Sequence, residues 1–214
     1  MGLELQDVAV SLNGQMLIRP FSLAIAAGEI VTLMGPSGSG KSTLLSFIAG
    51  DIELPFTASG HVRLDGVALD GVSPEQRRIG RLFQDDLLFP HLTVGENLLF
   101  GVPRGSRAAR VQKMEQALAE AELDGFAPRP PQTLSGGQRA RVSLMRALLA
   151  EPRAMLLDEP FGKLDAELRA AMRAFVFAHI AQRGIPCLMV THDRADAPKD
   201  GPVLVLKDAQ LRHA

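Results

Sequence analysis

The stretch Met34-Gly35-Pro36-Ser37-Gly38-Ser39-Gly40-Lys41-Ser42-Thr43 constrains this chain more than any other. Gly35, four residues, then Gly40-Lys41-Ser42 is the spacing of a phosphate-binding loop, provided that a strand precedes it and a helix follows. Both flanks fit. Ile30-Val31-Thr32-Leu33-Met34 is an apolar run of strand length, and Thr43-Leu44-Leu45-Ser46-Phe47-Ile48-Ala49 reads as a helix. The glycines let the backbone bend so that several N–H groups face one cavity. That cavity lies at a helix N-terminus, where unpaired donors and the helix dipole favour an anion. Gly35, Pro36, Ser37, Gly38, Ser39, Gly40, Lys41, Ser42 and Thr43 are therefore candidate nucleotide-binding residues. Lys41 is placed to reach the β- and γ-phosphates, and the Ser42 hydroxyl to bind Mg²⁺.

The pattern around this loop predicts an α/β fold. Before it, Leu3 to Val10 and Phe21 to Ile25 alternate apolar with polar, with a turn at Asn13-Gly14, so the N-terminal part reads as antiparallel β. After it, strands are expected over Gly60 to Gly66, Ile79 to Phe83, Ala154 to Leu157, Pro186 to Val190 and Val203 to Leu206. Helical patterns start at Thr93, run from Ser106 to Leu123, follow Gln138, and run from about Asp165 to Arg183. Strands alternating with helices imply a mostly parallel, helix-covered sheet. No strand pattern occurs between Gln84 and Ala154, so residues of about 85–152 are expected to form a helical lobe inserted in one domain spanning 1–214.

Composition narrows the function classes. Net charge is −1 with no basic stripe, which does not favour nucleic-acid binding. No apolar run approaches the roughly 20 residues of a membrane-spanning helix. Met1 to Asp7 lacks the basic and apolar regions of a signal peptide. The single cysteine, Cys187, excludes an intramolecular disulfide, sits in an apolar run, and suits a cytosolic protein.

Three further strands end in polar residues: Gln84 after Phe83, Asp158-Glu159 after Leu157, and His192 after Val190. Ligands of open parallel sheets bind beyond the carboxyl ends of the strands, so these residues are expected to converge on the phosphate loop. Asp158 can hold the Mg²⁺ shell, and Glu159 can polarise an attacking water. Gln84 can sense metal and water, and His192 can stabilise charge at the γ-phosphate. Singly, each residue is as readily a solvated turn or a surface side chain; together with the loop they support one another.

With Leu134-Ser135-Gly136-Gly137-Gln138, continuing as Arg139-Ala140-Arg141-Val142-Ser143-Leu144, the chain closely resembles the ATP-binding subunit of ABC transporters, over nearly its whole length. The resemblance implies a P-loop NTPase core and a homodimer in which two subunits face head to tail. Each ATP would lie between the phosphate loop of one and the Ser135, Gly136, Gly137 and Gln138 of the other. It implies ATP and Mg²⁺ as ligands, with Mg²⁺ held by Ser42, Gln84 and Asp158. Glu159 would be catalytic base, with Lys41, Gln84 and His192 completing the catalytic set. Asp165 matches a further residue of the nucleotide-binding set. The segment Asp85 to Phe100 resembles the region that receives a membrane permease subunit. The nearest-looking relatives are binding-protein-dependent importers of thiamine, iron(III), polyamines or oxyanions. The resemblance thus implies a cytoplasmic, membrane-peripheral ATPase with a periplasmic or extracellular solute-binding protein in its system. A soluble ABC ATPase of cofactor assembly and a non-transport mechanical or regulatory ATP-binding module are the alternatives; a DNA-repair ATPase is disfavoured by the lack of a long heptad segment.

Three departures from the family carry expectations. An aromatic residue normally stacks on adenine where Leu12 stands, and the chain has no Trp or Tyr, so weaker ATP binding or weaker base selectivity is expected. Gly162 replaces a usual serine in Phe161-Gly162-Lys163-Leu164-Asp165, which could alter communication between sites while sparing hydrolysis. The sequence runs only a short way past His192, so the C-terminal regulatory domain of many importers, and substrate feedback through it, are not expected.

Overall fold

The computed structural model describes residues 2–214. Strands β1 (Gly2–Leu12) and β2 (Gln15–Ala26) pair antiparallel around Asn13-Gly14. Both turn residues have positive φ, 48° and 80°, as a two-residue hairpin requires. Then come β3 (Ile30–Met34), α1 (Lys41–Ala49), β4 (Phe56–Leu64), β5 (Val67–Ala68) and β6 (Ile79–Leu82). Helices α2 (Val94–Gly101), α3 (Arg107–Glu120) and α4 (Gly136–Leu149) follow, with no strand among them in the described residues. The chain continues through β7 (Ala154–Asp158), α5 (Ala166–Arg183), β8 (Cys187–Thr191), β9 (Val203–Lys207) and β10 (Gln210–His213).

Two sheets result. One is antiparallel, in the order β2-β1-β4-β5; the other runs β10-β9-β3-β8-β7-β6, parallel throughout except for the β10 edge. The central strands β3, β8 and β7 are buried on both faces, and their alternate residues serve two cores. Ala154 and Leu156 of β7, with Leu188 and Val190 of β8, face α1 and the antiparallel sheet. Met155, Leu157, Cys187 and Met189 face α2 to α5. Helix α1 is thus clamped between the two sheets, which fixes the loop in front of it.

The structure corrects several boundaries. Strand β4 starts at Phe56, before the expected Gly60, and the expected closing strand is followed by a further antiparallel strand, β10. Strand β6 ends at Leu82, two residues before Gln84, and α1 starts at Lys41, before the expected Thr43. No helix among the described residues is long and apolar enough to cross a membrane.

Candidate nucleotide site

Four neighbouring parallel strands, β3, β8, β7 and β6, point their carboxyl ends to one edge of the sheet. There they deliver the phosphate loop, Thr191-His192, Asp158-Glu159 and Gln84. The loop turns into α1 through Gly40, at φ 94°, where a Cβ would come within 3.2 Å of Leu17. Gly40 also occupies the N-cap and offers no side-chain cap. The first N–H groups of α1 are therefore open to an external acceptor.

Lys41 is only 6% exposed, yet its ammonium is satisfied: Nζ donates to Gly35 O at 2.9 Å and to Pro36 O at 2.7 Å. Burial lowers its pKa below the ordinary lysine value, against the opposing pull of Glu159 and Asp158. Ser39 Oγ donates to Pro36 O at 2.8 Å and tightens the same turn. Ser42 Oγ donates to Asp158 Oδ1 at 2.9 Å, joining α1 to β7. Among the described residues no group of three or more His, Cys, Asp or Glu side chains gathers to cage a cation. One hydroxyl and one carboxylate suit Mg²⁺, a hard cation that keeps water and shares oxygens with substrate phosphates.

Glu159 holds an unusual backbone, φ 46°, secured by its N–H donating to Val190 O at 2.9 Å. Such left-handed conformations cost of order 1–3 kcal/mol and persist where surrounding structure fixes them. Here the conformation carries Glu159 Oε2 to 3.1 Å from His192 Nδ1. A cleft of about 550 Å³ is lined by Ser37, Gly38, Gly40, Lys41, Ser42, Thr43, Gln84, Asp158 and Glu159, with Phe56, Phe83, Asp85 and Leu87. Gly162 lies beside it: a Cβ there would sit 3.2 Å from Gln84 Nε2 and 3.7 Å from Glu159 Oε2.

The other candidate residues lie apart from this cleft. Ser135 caps α4: its Oγ accepts from Gln138 N at 3.3 Å, and its N–H donates to Gln138 Oε1 at 2.9 Å. Gly137 packs so closely on α5 that a Cβ would meet Leu168 Cδ1 at 2.3 Å. Asp165 caps α5 by accepting from Leu168 N at 3.0 Å. Leu12 does not line the cleft, whereas Phe56 across from it does.

Sequence reading missed two charged assemblies around the site. Arg81 donates through Nη1 to Ser46 Oγ at 3.0 Å and lies 3.2 Å from Asp51 Oδ2, while its Nη2 lies 3.4 Å from Asp158 Oδ2. Beneath His192, the buried Asp196 accepts from Thr191 Oγ1 at 2.8 Å and from Arg169 Nε and Nη2 at 2.7 and 2.6 Å. Asp193 N donates to Thr191 Oγ1 at 3.1 Å, so His192 is bracketed by this network. Its sequence signal is weak, because arginines and aspartates at such positions read as solvated faces.

The ABC transporter family model matches residues 18–162. An uncharacterized ABC transporter ATP-binding protein of Escherichia coli, YnjD, is 45% identical over 200 residues, covering 93% of this chain and 92% of its own. The sulfate/thiosulfate import ATP-binding protein CysA of Thermosynechococcus vestitus is 43% identical, covering 92% of this chain; the chain spans 58% of CysA. Among solved structures, a dimeric post-hydrolysis state of the ATP-binding cassette MJ0796 with ADP and Pi superposes at a TM-score of 0.81. It is 31% identical and covers 99% of this chain and 97% of its own.

Proposed function

The chain belongs to the ABC transporter family as the ATP-hydrolysing subunit that energises transport, and from that premise we propose that it powers solute import as a single ATPase domain peripheral to a permease. The observation that carries the site assignment is the meeting, at one sheet edge, of Lys41, Ser42–Asp158 at 2.9 Å and Glu159–His192 at 3.1 Å. N–H groups of the phosphate loop and α1 would cradle the ATP phosphates. Lys41 would exchange the carbonyls of Gly35 and Pro36 for phosphate oxygens. Ser42, Asp158 and Gln84 would hold Mg²⁺, which when bound supplies charge neutralisation at the phosphates. Glu159 would take the proton of the attacking water, oriented by its contact with His192. His192 would then stabilise the charge that develops at the γ-phosphate.

Ser135, Gly136, Gly137 and Gln138 would complete the site of a second copy, at the N-terminus of α4. Asp165, which opens α5, would belong to the same dimer face. The permease would dock on the segment after Gln84. There Leu87 and Phe100 are 55% and 69% exposed, while Val94 and Leu98 fill the core and Phe89 packs edge-on against Phe100 at 4.8 Å. An import system of this kind would include a solute-binding protein outside the cytoplasmic membrane, with this chain on its inner face.

The test compares ATP hydrolysis by wild type and Glu159→Gln, with size-exclusion chromatography in ATP and Mg²⁺. The reading expects turnover by wild type, and an inactive variant that runs as an ATP-dependent dimer. Equal turnover by the two proteins, alone and with permease, would remove Glu159 from its assigned role.

A further inference from the structure

The cleft has a phosphate cradle, but an ATP lying in it also has a base to place. A purine offers two broad π-faces, and aromatic side chains cover them best. The chain has no Trp and no Tyr, and two phenylalanines, Phe56 and Phe83, line the cleft. They are not equivalent. Phe83 sits beside Gln84, and its ring already carries the Arg81 guanidinium 4.5 Å from its centroid. Arg81 in turn reaches Asp158, so one face of Phe83 is already covered by a cation tied to the acidic strand end. Phe56 engages in no aromatic or cation–π pair among the described residues. It opens β4 in the antiparallel sheet and stands directly opposite Leu12 in the β1–β4 register. Opposed residues of an antiparallel pair share a face, with Cβ atoms roughly 4.5–5.5 Å apart. Asn13 N donates to Pro55 O at 3.4 Å and ties the hairpin turn to the residue before Phe56. Leu12 and Phe56 thus form one apolar patch, and of the two only Phe56 reaches the cleft wall, together with Ser42 and Thr43.

We infer that Phe56 is the platform on which the adenine of ATP stacks, with Leu12 supporting it from the neighbouring strand. The stacking surface missing from the end of β1 is supplied one strand away. The inference rests on the ATP-binding reading and adds the residue that recognises the base. It separates two halves of ATP binding: Lys41 and the loop hold phosphates, and Phe56 holds the ring.

The test is calorimetric binding of ATP and of inorganic tripolyphosphate, which has the phosphates without the base. Phe56→Ala is expected to weaken ATP binding about 5- to 150-fold, the range of alanine substitutions at base-stacking aromatics. Tripolyphosphate affinity should stay within about twofold, which also shows that the variant is folded. Phe56→Leu keeps apolar bulk without the π-face and should again weaken ATP alone. Phe56→Trp would introduce the sole tryptophan of the chain, and ATP should quench its fluorescence where tripolyphosphate does not. Unchanged ATP affinity in Phe56→Ala, equal loss for both ligands in both Phe56→Ala and Phe56→Leu, or equal quenching by both ligands overturns the platform and leaves the ATPase reading standing. Wild type that binds neither ligand overturns the ATPase reading, and the platform with it.

Discussion

Replacing Arg169 by Met should destabilise the fold and slow hydrolysis together, because one buried carboxylate serves both. Asp196 is 1% exposed and Arg169, on α5, is largely covered. The pair is bidentate, with Nε to Oδ1 at 2.7 Å and Nη2 to Oδ2 at 2.6 Å. In Arg169→Met the carboxylate keeps Thr191 Oγ1 at 2.8 Å and the more distant Arg173 at 3.9 Å. It loses two charge-assisted hydrogen bonds. Removing one partner of a buried pair costs about 3–5 kcal/mol, since the charge left behind stays desolvated. Arg173 offsets part of this, so about 3 kcal/mol is expected. For a chain of this size that lowers Tm by about 6–12 °C. Urea unfolding with an unchanged m-value would measure it. In a double-mutant cycle with Asp196→Asn, the two substitutions together should cost less than their sum, by about 2 kcal/mol. The network also holds Thr191 and Asp193 on either side of His192, so turnover at saturating ATP should fall about 10- to 100-fold with KM little changed. A loss below about 1 kcal/mol, or additive effects in the cycle, would refute the view that this pair holds the His192 segment.

Gly60 lies at φ 101°, and a Cβ there would come within 2.6 Å of Asp7 O and Val8 Cα, so Gly60→Ala should cost more than about 3 kcal/mol in urea unfolding. Burial pushes the Cys187 thiol pKa far up, so native protein at pH 8 should not react with a thiol-specific disulfide reagent, while urea-unfolded protein should react fully. Gly162→Ala adds a methyl 3.2 Å from the flexible end of Gln84; stability should change by less than about 0.5 kcal/mol and ATP turnover by only a few-fold, read by thermal melt and phosphate release.

What could be read from the sequence is what depends on neighbours along the chain. The phosphate loop and the apolar strands before Asp158 and His192 are encoded within a few residues, whereas α4, expected to follow Gln138, starts at Gly136 because Ser135 and Gln138 close a capping box. Elements defined by distant partners were less visible. Strand β10, Gln210-Leu211-Arg212-His213, is a polar edge strand with no apolar run to announce it, and it exists because it pairs with β9. The first half of β4 was hidden behind Pro55 and a loop-like composition, and with it the position of Phe56 opposite Leu12. The Arg169–Asp196 pair joins residues 27 apart, and nothing local distinguishes it from two solvated charges.

The same distinction explains why one copy holds only part of the proposed machinery. The cleft of this chain gathers residues delivered by β3, β7 and β6, with Phe56 of β4, while His192 after β8 stands behind Glu159 and none comes from 135–138. Those residues satisfy themselves: Ser135 and Gln138 exchange two hydrogen bonds at the start of α4, and Gly137 is packed against Leu168. A capping box answers only some of the orphan donors of a helix, so further N–H groups at the start of α4 stay open to an anion. On the proposed reading that anion is the γ-phosphate held by a second copy, and Gly137 packs on Leu168 of α5, the neighbour in sequence of Arg169. A phosphate arriving at α4 would therefore bear on the helix that clamps the His192 segment of the same chain, which links dimer closure to the geometry of hydrolysis through α5.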